Sequence, residues 1–161
     1  MYGRRRIAAA ASLLVAAAAA LSGVALATHG GLHGLFNARG TIDRLDIRDR
    51  DAKLRIKARE PIDVAIVGAQ LDPGGQTGWH THPADSIVSV QPGGPALKMV
   101  TQRHGRCVEQ TFEPGRAFVH PAGPHNFVNT DAATPLNFGV AYLVPVGATL
   151  LTPAPTPDGC S

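Results

Sequence analysis

Aromatic residues are scarce in this sequence, at 5% of positions, and cysteine occurs only at Cys107 and Cys160. Neither cysteine has a second cysteine or a histidine at zinc-finger spacing, which excludes a structural zinc module of that kind. Long helical periodicity is missing after residue 27, and no internal repeat is present. A surplus of one charge is missing too, once the first 27 residues are set apart. The formal net charge of +3 resides in Arg4, Arg5 and Arg6; without them Lys+Arg falls from 15 to 12, equal to the 12 Asp+Glu. No basic stripe remains to bind nucleic acid. The densest charged run, Arg44 to Asp51, alternates in sign and reads as solvated surface.

What is present begins with a leader. Three arginines precede an alanine-rich apolar run from Ile7 to Ala20, and Ala25 and Ala27 supply the small residues a signal peptidase reads. This is the pattern of a secretory signal peptide, residues 1–27, and of an exported protein. Ile7 to Ala27 is also just long enough to span a bilayer, so membrane attachment through an uncleaved leader is the alternative. The paired arginines leave the twin-arginine route open as well. In an exported chain an even cysteine count favours a disulfide, here Cys107 to Cys160. It would tie the proline-rich tail, residues 148–161, to a mid-chain strand.

Residues 28–40, with His29, Gly30, Gly31, His33 and Gly34, read as a flexible mature N-terminus. Beyond them the texture is β: short runs of Val, Ile, Phe and Thr alternate with Gly, Pro, Asn and Asp. Expected strands are 54–58, 62–71, 86–91, 97–101, 107–112, 117–120, 126–129 and 137–144. Turns spaced about ten residues apart predict an all-β sandwich or barrel over 41–147. Phe112, Phe118, Phe127, Phe138 and Tyr142 read as core, and Trp79 as a pocket residue beside the histidines. His104, in Gln-Arg-His-Gly-Arg, reads as an exposed turn, and Arg103, Arg106 and Arg116 as surface.

Chemistry concentrates in two segments. In Gly74-Gly-Gln-Thr-Gly-Trp-His80-Thr-His82-Pro-Ala-Asp85-Ser86, the two histidines lie two apart, so on a strand both imidazoles leave the same face and could share one ion. The second segment is Gly115-Arg-Ala-Phe-Val-His120-Pro121-Ala-Gly123-Pro-His125-Asn-Phe-Val-Asn129. Together they resemble the cupin superfamily over about residues 60–145. The family's first motif is glycine, five residues, His-x-His, three or four residues, glutamate, six residues, glycine. Gly74, His80, His82 and Gly93 match it. Gly115, Pro121, Gly123, His125 and Asn129 match the second motif, with one residue missing between Gly123 and His125.

The resemblance implies a single-domain jelly-roll β-barrel around a metal held by His80, His82 and His125. Ser86 stands where the family places glutamate, so this site resembles the three-histidine subset. Asp85 should face away by strand alternation unless a bulge turns it inward. Asp85, Ser86 and His120 are therefore candidates for alternative ligands or for groups supporting the ligands. Three neutral imidazoles suit iron, zinc, copper, nickel or cobalt, and the missing carboxylate leaves positions open to water or substrate. The chain thus reads as an exported metal-binding barrel of unspecified activity. The competing functions are a metal-dependent oxygenase, a non-catalytic small-molecule-binding module and a structural barrel. The small-molecule ligand is unspecified, and the resemblance makes a homodimer an expectation.

Overall fold

Alternation along one segment, Leu136 to Pro145, organises the protein. Leu136, Phe138, Val140, Tyr142 and Val144 are buried, while the residues between them are more open. Successive strand side chains point to opposite faces, so one face of this strand is core and the other is surface. In the computed structural model, which describes residues 30–160, this strand is central to a five-stranded sheet. Residues 1–27, read from the sequence as a leader, and His29 lie outside the described residues.

The strands are β1 (Leu32–Ile42), β2 (Leu45–Asp49), β3 (Leu54–Ala58), β4 (Ile62–Leu71), β5 (His80–Thr81) and β6 (Ser86–Val90). They continue as β7 (Leu97–Arg103), β8 (Arg106–Phe112), β9 (Ala117–His120), β10 (His125–Asn129), β11 (Leu136–Pro145) and β12 (Thr152–Pro153). Two antiparallel sheets, ordered β1-β4-β11-β6-β9 and β12-β5-β10-β7-β8, enclose the core, and β2 pairs with β3 in a separate hairpin. The protein is an all-β jelly-roll barrel with no helix among the described residues.

The core lies between the sheets. Leu71, Val88, Val90, Leu97, Leu136 and Val144 meet Phe127 there. Complete burial of a side chain such as Leu or Phe stabilises by about 1.5–3 kcal/mol each. Phe112 of β8 and Phe118 of β9 stack face to face across the sheets. The β7–β8 turn carries His104 and Gly105, both at positive φ (51° and 73°), so His104 occupies the expected turn, in a conformation two-residue hairpins favour.

Three expectations are corrected. The sequence predicts a flexible stretch over residues 28–40, yet Leu32 to Ile42 pair along β4 over its whole length, with a register shift between Gly34 and Phe36. The side chain of His33 adds a 3.0 Å contact to Asp72. Every side chain of β1 after Leu32 is exposed, so it shows no alternation to read. The mixed-charge run is solvated surface as expected, exposed except for Leu45, and it forms β2 of a hairpin outside the two barrel sheets; the barrel begins with β1 at Leu32 and not at residue 41. Finally, the tail is not merely a tethered end. Thr152 and Pro153 pair with Thr81 and His80, and Ala154 N donates to Trp79 O at 2.8 Å.

The Cys107–Cys160 disulfide is present, with Cα atoms 5.4 Å apart. That separation lies within the ordinary range for such bridges.

Candidate metal centre

The pairing of β5 with β10 sets His80 directly opposite His125. Residues opposite each other in a ladder share a face, so both imidazoles enter the same space. His82, two residues beyond His80, joins them. Ring centroids are 4.0 Å apart for His80 and His125, 4.9 Å for His80 and His82, and 5.0 Å for His82 and His125. One nitrogen from each lies within 4.8 Å of the other two. All three side chains are buried.

Backbone carbonyls decide which nitrogen each ring offers. His80 Nδ1 donates to Gly78 O at 2.8 Å, His82 Nδ1 to Leu150 O at 2.6 Å and His125 Nδ1 to Gly123 O at 2.9 Å. A carbonyl can only accept, so each Nδ1 carries the proton and each Nε2 keeps a free lone pair. Such a second partner for the ring is the usual companion of a metal-ligating histidine. His125 Nε2 is buried with no hydrogen-bond partner among the described residues. Orphaned buried polar atoms are rare and call for an occupant.

Burial keeps the rings neutral. It lowers the pKa of His80 to about 4, with the neighbouring His82 adding to the effect. Burial likewise lowers His82 and drives His125 far down, the latter helped by His80 and His120. Neutral imidazole is the form that binds a metal.

His120, on β9, adjoins this triangle without joining it. Its ring centroid is 3.7 Å from that of His125 and 5.3 Å from that of His82. Its Nδ1 is 3.4 Å from Ser86 Oγ, its neighbour in the β6–β9 register, and its Nε2 is buried without a partner among the described residues. Burial lowers its pKa to about 3. Ser86, at the position of the family's glutamate, therefore has an imidazole as its side-chain neighbour.

Asp85 does not turn toward the rings. Its Oδ1 accepts the backbone N–H of Ala122 at 3.0 Å. That still serves the centre, because Ala122 O accepts His82 N–H at 3.2 Å and the adjacent Gly123 O holds His125. Trp79, expected in a pocket, is half-buried and is not among the residues lining the adjoining cavity. It precedes β5, in the bend that leads into His80.

Asn129 of the second motif is structural. Its Nδ2 donates to Asp72 O and Thr134 O at 3.0 and 2.9 Å, and its Oδ1 accepts from Asp131 N. The motif glycines Gly74, Gly93 and Gly115 all take positive φ (68°, 80° and 80°), which explains the residue type at each turn.

Beside the rings lies a cavity of about 270 Å³. His80 and His82 form part of its wall, with Leu32, Phe36, Val67, Phe138, Val140 and Leu151. Tyr142 also lines it, its ring 5.1 Å from that of His82. Sequence reasoning missed Leu150, whose contribution is a backbone carbonyl and carries no residue-type signal. It also missed Tyr142 as a cavity residue, having read it as core.

No protein-family model matches the sequence, and no curated protein matches it either. Among solved structures it is similar to a cupin domain from Bordetella pertussis, at 24% identity over 65% of this chain and 93% of that one, with a TM-score of 0.42. It is also similar to the polyketide cyclase RemF from Streptomyces resistomycificus, at 19% identity over 80% and 77%, TM-score 0.46. A third similarity is to oxalate oxidase in complex with the substrate analogue glycolate, at 24% identity, TM-score 0.41. The match covers 48% of this chain and only 40% of that protein.

Proposed function

We propose that this chain is a cupin whose barrel holds one divalent transition metal through Nε2 of His80, His82 and His125, with further coordination positions open to a small molecule in the adjoining cavity. The observation that carries this reading is the common tautomer: three buried rings each give Nδ1–H to a backbone carbonyl, which leaves Nε2 free on each, and one nitrogen of each ring lies within 4.8 Å of the other two. A barrel that needed these histidines only for packing has no reason to fix all three alike. The donor set suits iron, zinc, copper, nickel or cobalt and does not choose among them. When bound, the ion would supply Lewis acidity or, if redox-active, electron transfer. The chain's own part is to fix the rings, exclude water by burial and present an apolar chamber.

The test is elemental mass spectrometry of the untagged protein from its native compartment, beside His80→Ala and His125→Ala. Near-stoichiometric metal lost in both variants is expected. Folded wild-type protein that neither carries nor takes up metal would refute the site.

Among the described residues no carboxylate lines the cavity, and Tyr142 is its acid–base side chain besides the ligand histidines, which makes an oxygenase the activity to test first. Acid–base chemistry needs a positioned proton carrier, whereas oxygen chemistry at open metal positions leans less on one. Oxygen uptake by iron-loaded protein across a panel of small apolar substrates tests this. A tightly held, unmodified ligand would instead favour a binding module. Export through residues 1–27 is part of the same proposal. It is supported by the Cys107–Cys160 bridge, since disulfides persist in oxidising compartments. The mass of the chain recovered outside the cell reads the cleavage.

A further inference from the structure

We propose that two copies of this chain associate through the outer face of the sheet β1-β4-β11-β6-β9, the face turned away from the core, each copy laying that face on the same face of the other. The surface, its rows of residues and its two-fold relation follow from this chain's own strand register, charge and exposure. None of them depends on the metal-site reading.

Charge and exposure set this face apart. Alternation turns Ala65, Val88, Val140 and Val144 into the core, so the residues between such positions face out. Among the described residues, the outward positions of the five strands hold no Lys, Arg, Asp or Glu, from Ile42, Ile62 and Pro145 at one end to Gln70 and Asn137 at the other. Ile66, Leu143, Ile87 and Val119 lie there 41%, 37%, 48% and 67% exposed. Gln70 Nε2 donates to Asn137 Oδ1 at 2.8 Å, which gives the face a polar rim. The outer face of the other sheet is ordinary solvated surface by contrast: Lys98 and Glu109 pair there at 3.1 Å. The uncharged face measures on the order of 400–500 Å², from strand spacings of about 4.8 Å and same-face repeats of about 6.8 Å. Contiguous apolar patches of this size mark interaction sites, and this one approaches the about 600 Å² per partner at which small specific interfaces begin.

The register makes the face complementary to itself. One row across the sheet is Ala38, Ile66, Ala141, Ile87 and Val119, and the next is Phe36, Gly68, Gly139, Ser89 and Ala117. Toward β6 and β9 the first row is a ridge and the second a trough. Gly139, Ser89 and Ala117 are small, and a Cβ added at Gly139 would meet nothing nearer than Val67 O at 3.8 Å. Toward β1 the relief reverses: Ala38 is small, while the ring of Phe36 lies too close over Gly68 for any Cβ to fit. A two-fold axis between the two sheets, parallel to these rows, sets each row of one copy over the other row of its partner. Ile87 then meets Ser89, Val119 meets Ala117 and Phe36 meets Ala38, large on small in each pair. Every such contact occurs twice, as an isologous interface requires, and no like charges are brought together. The result is an aligned packing of sheet on sheet. A flat, uncharged face offers a charged partner nothing to pair with, whereas a second copy brings matching relief and no charge to bury.

The experiment measures mass by analytical ultracentrifugation on the untagged protein from its native compartment, from micromolar to submillimolar concentration. Ile87→Arg and Val119→Arg probe the face. Ile47→Arg is the control, because Ile47 is as exposed as Ile87, at 48% each, but belongs to the hairpin outside the sheet. Circular dichroism checks that each variant is folded, and carbene footprinting of the wild type maps the face without any substitution. We expect a wild-type dimer that dissociates on dilution, with Ile66, Ile87 and Val119 labelled less as concentration rises. Ile87→Arg and Val119→Arg should each raise the dissociation constant at least about 100-fold, since the two-fold places two unpartnered charges in one interface. Ile47→Arg should leave it unchanged. A wild-type protein that stays monomeric throughout would overturn the proposal, and its pelleting with phosphatidylglycerol vesicles would give the face to a membrane instead. A dimer that survives both face variants, or that Ile47→Arg disrupts equally, would overturn the assignment to this face. So would footprinting that shows no protection of Ile66, Ile87 and Val119 in the dimer.

Discussion

Breaking the Cys107–Cys160 disulfide should weaken metal binding at a distance, through the tail. The bridge closes a loop with a sequence separation of 53. Chain-entropy arithmetic for that length gives about 4 kcal/mol of stabilisation at 25 °C, acting through the unfolded state. The tail it secures also carries Leu150 O, which accepts His82 Nδ1–H at 2.6 Å, and Ala154 N, which donates to Trp79 O beside His80. Gln102 Nε2 adds a 2.8 Å bond to Asp158 O near the bridge. Releasing the tail therefore frees the ring of His82 to rotate and to change tautomer. Loss of such a supporting partner typically costs about 10–100-fold in metal affinity. The assay compares wild type with the Cys107→Ser, Cys160→Ser double variant. Urea unfolding gives the stability, and competition with a chromophoric chelator in the absence of urea gives the affinity, on protein shown to be folded by circular dichroism. A fall in stability of about 4 kcal/mol with unchanged metal affinity would refute the coupling and reduce the disulfide to a staple.

The remaining predictions concern the site more directly. His125→Ala removes a ligand rather than a support, so its loss of metal affinity should exceed the about 10–100-fold range of supporting groups, read by the same competition. His120→Phe should retain stoichiometric metal by elemental analysis, because His120 adjoins the triangle without joining it; loss of metal would place it among the ligands. Asp85→Ala should lower metal affinity by up to about tenfold with little change in cavity shape, because it frees the Ala122–Gly123 loop that holds His82 and His125. Metal-free protein should lose stability as pH falls from 6.5 toward 4. His80 and His120 are lowered to about 4 and about 3 by burial, so over that window the unfolded chain binds more protons. The slope is on the order of 1.4 kcal/mol per pH unit for each histidine. Urea midpoints measured from pH 7 to 4 check the sign; a flat profile would mean the rings are solvated and already protonated at pH 4.

The sequence disclosed those parts of the structure that alternate or that use a marked residue type. β4, β6 and β11 carry their burial as a period of two, so their positions were legible within a residue or so. His80, His82 and His125 were legible because two spaced motifs placed them. β1 was not, because its side chains after Leu32 are exposed and its contribution is a ladder of backbone hydrogen bonds along β4. β5 is two residues long and exists only through its partners. The carbonyls of Gly78, Gly123 and Leu150 escaped for a related reason: every residue has a carbonyl, so its use leaves no mark on composition. Asp85 was correctly placed away from the rings by alternation, but its support of the Ala122 loop depends on a contact 37 positions along the chain. Trp79 stands next to His80 in sequence but is not among the residues that line the described cavity.

Ser86 and His120 are best understood as one feature. They are register partners on β6 and β9, both buried, with Oγ and Nδ1 3.4 Å apart. Where the resembling family supplies a carboxylate, this chain supplies a hydroxyl and, across the strand pair, an imidazole kept neutral by burial. Neither can offset a cation. In a loaded site the charge balance would therefore be completed from outside the chain, by hydroxide or another anion on the metal. Linkage then requires that an anionic ligand which prefers the loaded protein also tightens the hold on the metal by the same factor. The measure of that link is metal affinity determined with and without a given anion: a rise with the anion supports it, and no change means that the site balances its charge with solvent.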